Sequence, residues 1–151
     1  DGKTIFVGKG KRTDESGINY IKNKFVDREI IVIPHHALHL DCCFGVLPGK
    51  KALYSSKYIK RMPKIVRDRY KCKKVEDLMN KNDEPNLATN YLLIGRTIIT
   101  AYKKKFEKIY KYMEDNGFIV KTVPFADIFK GGGGVRCMTQ WYKMPKEQTI
   151  F

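Results

Sequence analysis

Several things are scarce in this chain, and each scarcity narrows what it can be. No apolar run approaches the about 18 residues that a membrane-spanning helix needs. The opening stretch, Asp1-Gly2-Lys3-Thr4-Ile5-Phe6-Val7, lacks the basic, apolar and small-residue regions of a signal peptide, and it lacks a starting Met. It reads as a cut or processed chain whose natural start lies upstream. Acidic residues are few, 16 against 30 basic ones, giving a net charge of +14. Such a balance suits a nucleic acid or another anionic surface. It equally suits a lysine-rich solvated surface, and no groove-reading motif accompanies the charge. Only four cysteines are present, Cys42, Cys43, Cys72 and Cys137. Two of them are adjacent and the chain is long enough to bury a core, so a disulfide framework is not expected. The expected setting is reducing and cytoplasmic.

What is present has a plan. Three stretches each run from a short apolar strand through a basic helix to a second strand. The first joins Thr4–Gly8, a helix from Asp14 to Phe25, and Glu29–Pro34. The second opens at Ala52–Tyr54, continues through Tyr58 to Tyr70 across an interrupting Pro63, and reaches Val75. The third joins Thr97–Ala101, a helix from Lys103 to Asn116, and Phe118–Pro124. The starts near 4, 52 and 97 imply a repeat of about 45–48 residues, one supersecondary unit per period. In the third helix Phe106, Ile109, Tyr110 and Met113 make one apolar stripe, and Gly117 ends it. Leu47–Lys50 reads as a turn between a strand through His39–Val46 and the strand at Lys51–Tyr54. Asn90 leads into a strand at Tyr91–Ile94, and Gly95-Arg96 turns it into Thr97. Gly131–Gly134 must be a loop. Strands alternating with helices predict an α/β class.

Two constellations could carry chemistry. On a strand, His39, Asp41 and Cys43 would share one face, with Leu40, Cys42 and Phe44 on the other. An imidazole beside a carboxylate there is either an exposed pair or a working one. Cys137 follows four glycines, whose freedom of backbone suits a thiol held open in a cleft. The alternative is a flexible linker with an incidental cysteine. The glycines are a poor phosphate loop, because no strand leads straight into them. Together, Cys137 and His39 make a nucleophile and an acid/base partner, since an imidazolium favours the reactive thiolate. The cluster His35, His36, His39, Cys42 and Cys43 offers metal ligands, but strand alternation would divide them between faces. A basic module binding nucleic acid through Tyr and Lys remains a further alternative.

Beyond these readings, His39-Leu40-Asp41 resembles the His-x-Asp motif of the guanidine-modifying superfamily of arginine deiminases, glycine amidinotransferases and dimethylarginine dimethylaminohydrolases. Gly132–Thr139 resembles that superfamily's glycine-rich nucleophile motif. Phe6-Val7-Gly8 with Arg12-Thr13 and Gly17, and Asn90-Tyr91-Leu92, are similar to its other stretches. The motifs occur in the family's order along nearly the whole of 1–151. The resemblance implies a pentein-type α/β propeller of ββαβ modules, about three of five being present here as the C-terminal part of one catalytic domain. It implies a hydrolase or amidinotransferase acting on arginine or a derivative, with Cys137 as nucleophile, His39 as acid/base and Asp41 holding the guanidinium. Gly133, Gly134 and Arg12 would help to bind the substrate, and no metal or organic cofactor would be required. An upstream segment or a second chain would supply the missing modules, and a segment without them would be weak or inactive. Two departures stand out: Lys11 where deiminases often place a substrate-binding Glu, and Gln140-Trp141-Tyr142 where the family commonly has Pro. A non-catalytic descendant of the family, a basic binding module, is the alternative.

Overall fold

A computed structural model describes residues 2–124 and 126–140. The chain builds three small sheets in succession. β1 (Thr4–Lys9) lies parallel to β2 (Glu29–Pro34), joined by helix α1 (Glu15–Lys24). β3 (Phe44–Leu47) is antiparallel to β4 (Lys51–Tyr54), which lies parallel to β5 (Lys71–Lys74) across helix α2 (Lys64–Arg69). β6 (Leu92–Ile94), β7 (Thr97–Ala101) and β8 (Ile119–Val123) repeat that order, with helix α3 (Glu107–Asp115) in the crossover. A last short helix, α4 (Ala126–Lys130), precedes the glycines. The strands close no ring among the described residues. No described helix is long and apolar enough to cross a membrane.

The periodicity seen in the sequence is structural. A glycine with positive φ stands two residues before each unit's first parallel strand: Gly2 (53°), Gly49 (76°) and Gly95 (59°). An L side chain is disfavoured in that left-handed conformation, so glycine marks the same turn three times. Local chemistry also sets the helix ends. The Asp14 carboxylate accepts from the Gly17 amide at 3.0 Å and caps α1. At the other end of the third unit, Gly117 (φ 83°) donates to Glu114 O and Phe118 donates to Met113 O. That pair of bonds satisfies the last carbonyls of α3. Its inward stripe, Ile109, Tyr110 and Met113, is buried.

Two buried clusters hold the sheets together. Ile31, Ile33, Phe44, Ile59 and Val66 pack between the first two sheets, where the Phe6 ring meets Phe44 and Tyr70 at 5.1 and 5.5 Å. Leu47, Leu53, Ile98, Ile109 and Met113 pack between the second and third.

The structure corrects three expectations. The strand expected through His39–Val46 begins only at Phe44, and Leu40–Cys42 forms a 3-10 turn. Contacts distant in sequence hold that turn: Leu87 N donates to Cys42 O and the Thr89 hydroxyl donates to Asp41 O. Pro63 does not interrupt a long second helix; it stands immediately before a short one. The strand expected from Tyr91 begins at Leu92, and Asn90 and Tyr91 lie between the turn at 86–89 and β6.

Candidate active site

The 3-10 turn decides which side chains meet. With about three residues per turn, positions three apart eclipse. His39 therefore lies with Cys42 rather than Cys43. One donor atom each from His39, Asp41 and Cys42 falls within 4.8 Å of the others. Cys43 points into the core, with no exposure, and its thiol faces the Leu40 carbonyl at 3.4 Å. The expectation that Cys43 shares a face with His39 and Asp41 is thus corrected.

Asp41 is the hub of the site. Its Oδ2 accepts from Asn90 Nδ2 at 3.1 Å, and Arg136 Nε stands 4.0 Å from the same oxygen. Its Oδ1 faces the Cys42 thiol at 3.7 Å. Burial, followed by the charge of Asp41, pushes the Cys42 thiol up to about 12. Burial, followed by neighbouring Cys42, does the same to Cys43. Both therefore remain protonated thiols at neutral pH.

Cys137 is exposed, on a 3-10 turn at Arg136–Met138 just after the glycines. The same Asn90 Nδ2 that holds Asp41 donates to Cys137 Sγ at 3.1 Å. Asn90 Oδ1 in turn accepts from the Arg136 and Cys137 amides at 3.1 and 3.4 Å. Gly134 backs against this amide. A Cβ built there would sit 2.3 Å from Asn90 Oδ1, so no larger residue fits without displacing it. A Cβ on Gly133 would meet only ordinary contacts, the nearer at 3.8 Å.

A cavity of about 530 Å³ opens beside Asp41. Its walls come from all three sheets, through Phe6 of β1, Phe44 and Val46 of β3, and Leu93 of β6. Asp41, Thr89 and Arg136 supply polar groups at its edge. A cleft that combines apolar walls with convergent polar groups is a common form of small-molecule site.

Other sequence candidates lie elsewhere. Arg12 is exposed in the turn between β1 and α1, in a groove with Gly17 and Tyr20 rather than in the Asp41 cavity. His35 is buried, and a Cβ on Gly8 would meet its Nε2 at 2.4 Å. Burial lowers its pKa first, which keeps it neutral. Of the five residues weighed as metal ligands, only His39 and Cys42 come together, with Asp41 as the third group that could reach a shared ion. Trp141 and Tyr142 lie outside the described residues.

Sequence reasoning gave no site role to Thr89; it weighed Cys42 only as a metal ligand and met Asn90 and Arg136 only within stretches that resemble the family's, without a role of their own. The signal for Asn90 was its place at the head of Asn90-Tyr91-Leu92, the stretch similar to the family's.

Residues 1–142 match the protein family described as N,N dimethylarginine dimethylhydrolase, eukaryotic. The chain belongs to this family. Among its relatives, Bacillus subtilis YkgA is 27% identical over 142 residues, covering 92% of this chain and 48% of YkgA. The bifunctional arginine dihydrolase/ornithine cyclodeaminase ArgZ of Synechocystis is 28% identical over 146 residues, covering 92% of this chain and 20% of ArgZ. The crystal structure of the ArgZ N-terminal domain bound to product superposes with a TM-score of 0.76 at 25% identity, covering 92% of this chain and 51% of that one. SxtG, an amidinotransferase from Microseira wollei, matches in fold with a TM-score of 0.73 at 21% identity, over 99% of this chain and 47% of its own. The chain thus spans about half the length of YkgA and of the ArgZ domain, and its family is one of guanidino-group enzymes.

Proposed function

We propose that this member of the dimethylhydrolase family acts on the guanidino group of arginine or an arginine derivative through a covalent intermediate on Cys137. The observation that carries the reading is the single amide of Asn90 joining the Cys137 sulfur to the Asp41 carboxylate, which itself lines the cleft. A guanidinium is planar and cationic, and a carboxylate binds it through paired hydrogen bonds. Asp41 holds it beside the sulfur. The Cys137 thiolate attacks the guanidinium carbon, forming a C–S bond. His39 gives a proton to the departing amine, and a thiouronium remains on Cys137. Water or an acceptor amine then adds to the same carbon, His39 takes its proton, and the C–S bond breaks. Water yields a ureido product; an acceptor amine yields a transferred amidino group. Gly133 and Gly134 let the nucleophile's loop approach closely.

On this reading the three sheets are modules of a ββαβ propeller. The remaining modules come from an upstream segment or a second chain, in a reducing, cytoplasmic setting. Arg12, outside the Asp41 cavity, meets a substrate carboxylate only if the complete assembly brings it there.

The test is labelling of the longest natural form with a haloacetamidine, which mimics a guanidinium and alkylates an activated thiol. Selective labelling of Cys137, lost in His39→Ala and blocked by arginine-like compounds, is the expected result. Equal labelling of every cysteine would refute it.

One observation favours a second reading, a basic binding module. A groove of about 1200 Å³ between α1 and α2 carries Lys9, Lys11, Lys22, Lys60, Arg61, Lys64 and Arg67, opposed by Asp14 and Glu15 in its lining and by Asp68, which pairs with Lys64. Salt-sensitive nucleic-acid binding that survives Cys137→Ala would favour that reading.

A further inference from the structure

We propose that Asn90 is the positioning residue of this site, the group that fixes the distance between the carboxylate and the nucleophile and favours the thiolate. The proposal rests on the reading of Cys137 as the nucleophile.

A primary amide offers two donors and two acceptor lone pairs. Asn90 uses all four. Nδ2 donates to Asp41 Oδ2 and to Cys137 Sγ, each at 3.1 Å. Oδ1 accepts from the Arg136 and Cys137 amides. Asn90 is 2% exposed, so water has little access to the amide itself. Only one amide orientation works. Flipped, Oδ1 would face a carboxylate and a sulfur, and the NH2 would face two N–H groups. The amide therefore reads its neighbours' charges: it points its hydrogens at the two atoms that become anionic. A hydrogen bond to an anion is about twice as strong as a neutral one. Because one nitrogen reaches both acceptors, sulfur and carboxylate stay within reach of a single planar guanidinium.

Two independent features keep Asn90 in place. Leu87, three residues earlier, is a buried non-glycine residue at φ 64°. Such a conformation is costly and persists where surrounding contacts enforce it. Its amide bonds Cys42 O and its carbonyl accepts the Asn90 amide at 3.1 Å, so the strained turn ties Asn90 to the Asp41 segment. On the other side, the bare Cα of Gly134 leaves the space that Asn90 Oδ1 fills.

The decisive variant is Asn90→Asp in the longest natural form of the protein. It keeps two acceptors for the backbone amides and nearly the same shape. It removes the donors to sulfur and carboxylate. Two probes are used, a cationic haloacetamidine and neutral iodoacetamide. The expected result is labelling of Cys137 slowed about tenfold or more with both probes, through loss of a charge-assisted hydrogen bond and the arrival of a like charge beside the sulfur. The pH profile of labelling should also move to higher pH. A purely structural role would change the melting temperature and leave that profile in place. Should Asn90→Asp fail to fold, Asn90→Ser, which lacks the amide and adds no charge, carries the same expectation. A folded variant labelled at the wild-type rate with an unmoved profile overturns the proposal. If wild-type Cys137 shows no preference for the cationic probe, the guanidine reading fails, yet the iodoacetamide rates still decide the role of Asn90.

Discussion

Adding one methyl group at Gly134 should damage this protein far more than adding one at Gly133. At Gly134 the new carbon would lie 2.3 Å from Asn90 Oδ1 and 2.9 Å from its Cγ. Neither atom belongs to a flexible side-chain end, because the amide is held by four hydrogen bonds. Relief requires the loop or Asn90 to move. Overpacking of that kind costs about 1–3 kcal/mol. If Oδ1 is displaced, the Arg136 and Cys137 amides each lose an acceptor, at about 1 kcal/mol apiece. The sum is about 3–5 kcal/mol, a fall of roughly 6–20 °C in melting temperature for a chain of this size. Gly134→Ala should also slow alkylation of Cys137, since the displaced amide no longer reaches the sulfur. In Gly133→Ala the added carbon meets Ile128 and Cys137 at 3.8 and 3.9 Å, so stability should change by about 0.5 kcal/mol or less. Thermal melting of both variants, followed by timed alkylation, checks the argument. Equal melting temperatures for the two would show that Asn90 is not seated against Gly134.

Two further outcomes follow from the electrostatics. Under native conditions at neutral pH iodoacetamide should modify Cys137 and leave Cys42 and Cys43 untouched, because both of those thiols are held near 12 and are buried. Peptide mass spectrometry before and after denaturation reads this, and early modification of Cys42 would contradict it. Glu76 provides a pH signature. Burial works against its charge, but bonds from the Ser55 hydroxyl at 2.6 Å and from the Ser56 and Lys57 amides outweigh it and lower its pKa. A depressed carboxylate stabilises the fold fully above its ordinary value of 4.5 and loses that contribution as pH falls through its folded value. Glu76→Gln should therefore melt below wild type at neutral pH, with the gap closing in acid. A gap independent of pH would mean that the Glu76 charge carries no stability.

The units of this fold were legible because their signals are local. Asp14 announces the start of α1, Gly117 the end of α3, and a turn glycine precedes each repeat. The site was legible only in part. His39, Asp41 and Cys137 stood out by chemical type, and their order matches a family motif. The turn that arranges the first two did not. His39–Phe44 alternates well enough to pass for a strand, and only bonds from Leu87 and Thr89, more than forty residues away, bend it into a 3-10 turn. Asn90 stood out only as part of a family-like stretch, and its place in the site was hidden for the same reason. A buried asparagine differs from a loop asparagine only in what surrounds it, and here its surroundings come from the 3-10 turn and the glycine loop at once. The helix α4 has five residues, too few for any periodicity to register.

The account stands on Cys137 as the nucleophile, and trapping the covalent intermediate tests this most directly. The longest natural form would be mixed with a guanidino substrate, quenched in acid within the first turnover, and digested for mass spectrometry. A thiouronium adduct is predicted on the Cys137 peptide, carrying the substrate's chain if ammonia or a small amine departs and a bare amidino group if the alkylamine departs, and absent in Cys137→Ser. Turnover that persists in Cys137→Ser, or an adduct on another residue, would contradict it.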